Sequence, residues 1–161
     1  MGIGPSTKET SLHHFRDPLL NVVSADNDLD LMGIILVGTP DVNEDKLRVS
    51  TRAAIMAAAM RPDGVITSTD GWGNSDVDYC NMVEQVGRLG IPVTGLHFTG
   101  TCGRFVVSND FLDNILDMNK GVGVETNRVG ENAVNETDAR KAVARLKLMM
   151  RKAEKKESSS K

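Results

Sequence analysis

The sequence has little cysteine, few aromatic residues and no long hydrophobic run, and each scarcity excludes a class of protein. Two cysteines in 161 residues, Cys80 and Cys102, cannot build a disulfide framework, which favours a reducing cytoplasm. The longest apolar run, residues 31–38, falls far short of the roughly 20 residues that cross a bilayer. The net charge of -3 offers no basic surface to nucleic acid. We therefore expect neither a membrane protein nor a nucleic-acid-binding protein.

What remains is a chain with the composition of a globular α/β domain. Apolar residues make up 40% and charged residues 25% of the sequence, and its length suits one domain. We predict a single α/β domain over residues 1–154 and a flexible polar tail over residues 155–161.

Strand-like and helix-like segments alternate along the chain. Continuous apolar runs predict strands over residues 31–38, 64–68 and 91–98. An alanine-rich stretch predicts a helix over residues 43–61, and a second helix is expected between Ser75 and Gly90, with Asp78 completing a capping box. This alternation favours parallel pairing with crossover helices. The predicted fold is a three-layer α/β domain, with a mostly parallel central sheet and helices on both faces.

The other segments are patterned less regularly, apart from the last helix. Residues 19–25 fit either a strand or a helical turn, residues 104–107 a short strand, and residues 109–118 a helix. An edge strand is expected around residues 124–129. The last helix has apolar residues at three- and four-residue spacing, and Asn135 can cap it.

Ligands of such sheets bind beyond the carboxyl ends of the strands. Three loops should meet there: residues 38–41, 68–74 and 97–103. Glycines in the last two let the backbone approach a ligand closely. The reactive candidates in these loops are Asp70, His97 and Cys102. The candidates to face a ligand or partner are His13, His14, Arg16, Ser68, Thr69, Gly71, Trp72, Gly73, Thr99 and Gly100.

Each candidate has a structural alternative. Cys80 lies on the apolar stripe of its helix, so core packing is favoured. An inert loop thiol is favoured over a nucleophile for Cys102, because no partner base is evident. His97 is expected to make hydrogen bonds rather than to catalyse, and Trp72 looks like a contact residue. No nucleotide-binding glycine fingerprint follows a predicted strand.

The adjacent histidines raise the question of a metal site. Neighbouring residues on a strand point to opposite faces, so His13 and His14 would rarely bind one ion together. No metal site is predicted. One of the pair, together with Arg16, could instead hold a carboxylate or orient a partner chain.

Five ordered blocks give the chain a resemblance to a known family. They read GIGPSTKETSLHHFRDPLL, GIILVGTPD, STRAAIMAAAMRPDGVITSTDGWGN, VEQVGRLGIPVTGLHFTG and GVETNRVGEN. Together they resemble the subunit family of the D-proline reductase proprotein and of component B of the glycine, sarcosine and betaine reductases. The resemblance implies anaerobic amino-acid reduction, as in Stickland fermentation.

In that family a proprotein is cleaved at an internal cysteine, which becomes a pyruvoyl group, and a selenocysteine lies on a separate subunit. The family's pyruvoyl-forming cysteine lies upstream of the blocks matched here, so no catalytic position carries over to this chain. Cys102, which follows Thr101, is not expected to take that role, because cleavage there would cut behind a central strand.

The resemblance implies a subunit or accessory paralogue of a D-proline reductase-type system, which opens the ring reductively to 5-aminovalerate. The pyruvoyl group and selenocysteine are expected on partner subunits, in a hetero- or homo-oligomer with the proprotein. The alternatives are a subunit of glycine, sarcosine or betaine reductase component B, and a non-catalytic module of the same fold that binds a small ligand or serves assembly.

Overall fold

A parallel three-stranded sheet organises the chain. The computed structural model describes residues 18–69, 73–97, 105, 107–117 and 134–159. The strands are β1 (Val65–Ser68), β2 (Val93–His97) and β3 (Ile115–Asp117), in the order β1-β2-β3. The register sets Ser68 beside Leu96 and His97 beside Asp117, so the carboxyl ends of all three strands lie at one edge.

Four helices of the described residues accompany the sheet. They are α1 (Pro18–Ser24), α2 (Asn43–Ala59), α3 (Asp76–Arg88) and α4 (Glu136–Ser159). The alanine-rich α2 ends where Arg61 takes a positive φ of 54° and Pro62 follows, because a proline disfavours helical backbone at the preceding residue. Gly90, with a φ of 79°, leads the chain from α3 towards β2.

The sheet has a core on each face, because successive strand residues point to opposite sides. Val65 and Val93 pack with Cys80, Val83 and Val86 of α3 on one face. On the other face, Ile66, Leu96 and Leu116 pack around Ala142 of α4. This confirms the predicted α/β fold with a parallel sheet between helices.

Several local predictions are confirmed by the structure. The predicted strands at residues 64–68 and 91–98 correspond to β1 and β2. The helices predicted over residues 43–61, between Ser75 and Gly90, and as the last helix correspond to α2, α3 and α4. Residues 19–25 were predicted to form either a strand or a helical turn, and the structure shows a helix over Pro18–Ser24. Asn135 Oδ1 accepts a hydrogen bond from the Asp138 amide at 3.0 Å, and the Asp138 carboxylate accepts one from the Asn135 amide at 3.1 Å. These reciprocal bonds confirm the predicted cap of α4.

The apolar run 31–38 is not a strand, and three of its large side chains are exposed to solvent. The predicted strand over residues 104–107 is also wrong for its described residues, 105 and 107, which are not in a strand. Where a helix was predicted over residues 109–118, a short 3-10 turn (Leu112–Asn114) leads into β3. The β-branched Ile115 suits the edge of β2, and this pairing outweighs the local helical pattern.

Two helix ends also differ from prediction. Ser75 makes no side-chain cap bond to α3, and Asp78 is instead paired with Lys46. The last helix continues to Ser159, through most of the segment assigned to the tail. The edge strand expected around residues 124–129 lies outside the described residues.

Candidate functional site

The carboxyl edge of the sheet brings together only some of the predicted site residues. Ser68 ends β1, Thr69 follows it, and His97 ends the neighbouring strand β2. Gly73 opens the 3-10 turn that leads into α3. The remaining predicted residues lie outside the described residues: His13, His14, Arg16, Asp70, Gly71, Trp72, Thr99, Gly100 and Cys102.

A buried histidine–carboxylate pair occupies this edge. His97 Nε2 lies 2.7 Å from Asp76 Oδ1, and both side chains are almost completely buried. Asp76 is the first residue of α3, which begins directly after the 3-10 turn Gly73–Ser75. The pair therefore ties the end of β2 to the start of α3. His97 therefore makes a hydrogen bond, as expected for this residue.

Aromatic rings enclose the imidazole. The ring centroids of Tyr79 and Phe105 lie 4.9 and 4.6 Å from that of His97. The Tyr79 hydroxyl donates to the Leu96 carbonyl at 3.3 Å and accepts from the Thr67 hydroxyl at 3.2 Å. Burial is the largest cause that raises the pKa of Tyr79. This hydroxyl is therefore a fixed structural donor.

Gly95 leaves the space that this hydroxyl cluster needs. A β-carbon at Gly95 would collide with the Tyr79 hydroxyl and the Thr67 Oγ1 atom. A glycine in β2 therefore permits the close approach of α3 to the sheet at this point.

A buried ion pair lies two residues further along α3. Lys46 Nζ of α2 is 3.4 Å from Asp78 Oδ1 of α3, and Lys46 is 1% exposed. Burial raises the pKa of Asp78, and the opposing charge of Lys46 lowers it only in part. The pair fixes α2 against α3. Its burial leaves it no direct access to a substrate.

Cys80 is the described cysteine, and it lies in the middle of α3 with no exposed surface. Burial, followed by the nearby charges of Asp76 and Asp78, raises its thiol pKa to about 12. This confirms core packing and makes Cys80 unsuitable as a nucleophile, because the thiolate is the reactive form.

The chemistry open to the carboxyl edge is consequently limited. His97 Nε2 is held by Asp76, and both side chains are almost completely buried. Among the described residues, no three His, Cys, Asp or Glu side chains are grouped to hold a metal ion. No described helix is long and apolar enough to cross a membrane.

An open pocket of about 440 Å³ lies near the other end of α3. Its lining includes Arg88 and Glu84 of α3 together with residues 108–111. Arg88 donates to Glu84 Oε1 through Nε and Nη2, at 2.9 and 2.6 Å. Since α3 begins at the carboxyl edge and ends at Arg88, this pocket is separate from the His97–Asp76 pair.

Sequence reasoning missed most of the buried polar residues. Asp76 stands among loop-like residues and carried no signal of its own. Lys46 reads as an ordinary exposed helix residue, because lysine is almost never buried unless it is paired. The signal that could have found Lys46 is its position on the helix. The buried stripe of α2 consists of Lys46, Ser50, Ala53, Ala54 and Ala57.

Comparison with known proteins supplies the family. Residues 2–113 match the family model described as glycine/sarcosine/betaine reductase component B subunits. The chain is 40% identical over 146 residues, or 90% of its length, to the D-proline reductase proprotein PrdA of Acetoanaerobium sticklandii. It is 28% identical over 107 residues, or 63% of its length, to the sarcosine reductase complex component B subunit alpha of Peptoclostridium acidaminophilum.

The alignments cover 23% and 25% of these two relatives, so the chain spans about a quarter of their length. No solved structure matches the chain. The match to the family model covers well over half of the chain and confirms the resemblance seen in the sequence blocks. This chain belongs to the family of glycine/sarcosine/betaine reductase component B subunits.

Proposed function

We propose that this chain acts as a subunit or accessory paralogue of a D-proline reductase-type system, and that it works within an assembly. The observation that carries the proposal is the 40% identity to a D-proline reductase proprotein over 90% of the chain. The reaction would be the reductive opening of D-proline to 5-aminovalerate, driven by dithiols.

The described residues do not fit a pyruvoyl precursor. Their cysteine, Cys80, lies inside a helix and has no exposed surface. Backbone cleavage at this position would cut α3 and break the core on one face of the sheet. We therefore propose that the pyruvoyl group and the selenocysteine reside on partner subunits.

The contribution of this chain would be a rigid edge for contact with partners. The His97–Asp76 pair and the Tyr79 hydroxyl fix the end of β2 against α3. The loops that follow β1 and β2 in sequence contain Trp72, a candidate contact residue. A fixed edge lowers the entropic cost of binding a partner.

Reconstitution tests this role. The chain is expressed with a tag beside a D-proline reductase proprotein and its selenocysteine subunit, and D-proline-dependent dithiol oxidation is measured with and without the chain. We expect co-purification and a several-fold change in activity on addition. The absence of both co-purification and an activity change at micromolar concentrations would contradict the proposal. Parallel assays with sarcosine, glycine and betaine test the alternative of a component B subunit. The 28% identity to a sarcosine reductase subunit supports this alternative less strongly than the 40% identity supports the D-proline reductase role.

Matched variants localise the contact. Trp72→Ala should weaken co-purification at least several-fold, because aromatic residues concentrate binding energy at interfaces. Arg140→Ala is the control, since Arg140 is exposed on α4 and pairs with Glu136 of the same helix. Equal loss with both variants would indicate a general effect rather than a contact at Trp72.

A second candidate is a small-ligand-binding module, which the pocket near Arg88 supports. Its guanidinium and the carboxylates of Glu84 and Asp110 offer both charges that a zwitterionic amino acid needs. Thermal-shift measurements with D-proline, 5-aminovalerate and glycine betaine test it, because a ligand that binds only the native state raises Tm. A shift that Arg88→Gln abolishes would support this function, and no shift at millimolar ligand would reject it.

A further inference from the structure

The last helix carries an excess of positive charge. Residues 141–156 of α4 contain seven lysines and arginines and one acid, Glu154, so their net charge is +6. The whole chain has a net charge of -3, so all the other residues together carry -9. The molecule is therefore electrostatically divided, and one helix differs in sign from the rest of the chain.

Most of these positive side chains lack a counter-charge. Lys147 pairs with Asp26 and Asp28, and Arg145 donates to the carbonyl of Asp113. The other five are exposed and form no ion pair with any described residue. We call these five residues the basic face, and they are Lys141, Arg151, Lys152, Lys155 and Lys156.

The basic face points away from the sheet. At 3.6 residues per turn its members lie within an arc of about 140° around the helix axis. The opposite side of α4 is buried, through Ala139, Ala142, Val143 and Leu146. Leu148 is 48% exposed and lies within the arc, with Arg151 and Lys152 three and four residues further along. The surface is therefore an apolar centre bordered by positive charges.

The dipole of α4 accounts for only part of this charge. Its attraction for cations falls off within the last helical turn, whereas the basic face begins at Lys141, near the start of the helix. Two pairs of like charges stand four residues apart, Arg151 with Lys155 and Lys152 with Lys156. Such pairs destabilise a helix, and an acidic partner would relieve the repulsion.

The surroundings of the basic face indicate which kind of anionic partner fits. A helix that lies on a membrane needs a broad apolar face, and that face of α4 is already buried against the sheet. Duplex DNA carries one charge per roughly 1.7 Å, so a duplex would extend beyond the helix of about 36 Å and meet the negative remainder of the chain. An acidic patch on a protein has a limited extent and avoids this repulsion.

We propose that the basic face of α4 is a docking surface for an acidic protein surface, with Leu148 at the centre of the contact. Carboxylates of the partner pair with the five basic side chains, and an apolar side chain of the partner covers Leu148. This arrangement is that of ordinary interfaces, which have an apolar core and a polar rim. The proposal stands independently of the role in a reductase.

Binding of a defined acidic peptide tests the proposal. The probe is a fluorescent peptide of about ten glutamates around a central leucine, and its anisotropy is measured with the full chain. We expect micromolar binding that weakens at least tenfold between about 50 and 300 mM salt, because salt screens exposed charges. Arg151→Gln combined with Lys152→Gln should weaken binding about 3- to 10-fold. Leu148→Gln should also weaken it several-fold, because it removes the apolar centre.

The matched control is Arg48→Gln combined with Arg52→Gln, which removes two exposed positive charges from α2, the helix that packs on the other face of the sheet. An equal loss with this control would overturn the proposal, as would no binding at about 100 μM chain. Tighter binding of duplex DNA or of phosphatidylserine vesicles than of the peptide would also overturn it, and would assign the face to that polyanion.

Amide chemical shifts of the unaltered chain keep the test decisive if a variant fails to fold. On addition of the peptide, the amides of residues 141–156 should shift more than those of α2 and α3. Shifts confined to other elements would overturn the proposal.

Discussion

Replacing Lys46 by methionine tests the buried ion pair between α2 and α3. The Lys46 ammonium is buried 3.4 Å from Asp78, so its removal leaves a buried carboxylate without its counter-charge. Breaking such a pair from one side costs about 3–5 kcal/mol. At this chain length, 1 kcal/mol corresponds to roughly 2–4 °C in Tm, so we expect Tm to fall by about 10 °C.

The loss should depend on pH. Burial raises the pKa of Asp78, so the native state binds this proton more tightly than the unfolded chain does. Loss of Lys46 raises that pKa further. As pH falls through the raised pKa towards the ordinary value near 4, Asp78 becomes protonated and no longer needs a counter-charge. The stability difference between wild type and variant should therefore be largest at neutral pH and shrink on acidification.

Two further variants complete the assay, which is urea denaturation followed by circular dichroism between pH 4.5 and 8. Lys46→Met combined with Asp78→Leu should recover most of the stability, because an apolar pair replaces a buried ion pair at little net cost. Arg48→Met is the control, since Arg48 pairs with Asp45 on the surface and should change stability by less than about 1 kcal/mol. A single variant within 1 kcal/mol of wild type at pH 7 would refute the reasoning, as would a difference that does not shrink on acidification.

Three other outcomes follow from local contacts. Gly95→Ala should lower the free energy of unfolding by about 1–3 kcal/mol, because the added methyl group collides with the Tyr79 and Thr67 hydroxyls. Gly38→Ala is the control and should be nearly neutral, because open space surrounds Gly38. In a Cys102→Ser background, Cys80 should not react with Ellman's reagent at pH 8 until urea unfolds the chain, and rapid native-state reaction would contradict its burial. Asn135→Ala should lower the free energy of unfolding, measured by urea denaturation, by about 1 kcal/mol, because Asn135 makes a side-chain cap bond. Ser75→Ala should lower it clearly less, because Ser75 makes no such bond, and equal losses would contradict this difference.

Strong periodicity explains which parts of the fold were predictable. The apolar stripe of α4 and the alanine-rich α2 are visible in the sequence, because one face of each helix is buried. The run at 31–38 shows the limit of this reasoning. Its apolar character indicates that it should be covered, but it does not say by what, and within the described chain its exposed face lacks a cover.

The carboxyl edge was predictable from topology, and its chemistry was predictable only in part. Parallel pairing brings Ser68 and His97 to neighbouring strand ends, as the strand pattern predicts. The partner of His97 was missed because Asp76 is 21 residues away in the chain and meets it only through the packing of α3 on the sheet. Long-range polar pairs of this kind leave no periodic signal in a single sequence.

Carbonyl trapping on the purified chain tests the central claim most directly. The chain is co-expressed with the reductase subunits, repurified, treated with a hydrazide or with borohydride, and its intact mass is measured. We expect an uncleaved polypeptide of 17.4 kDa without a carbonyl adduct. A hydrazide adduct on a cleaved fragment, with a pyruvoyl group at its new amino terminus, would contradict it.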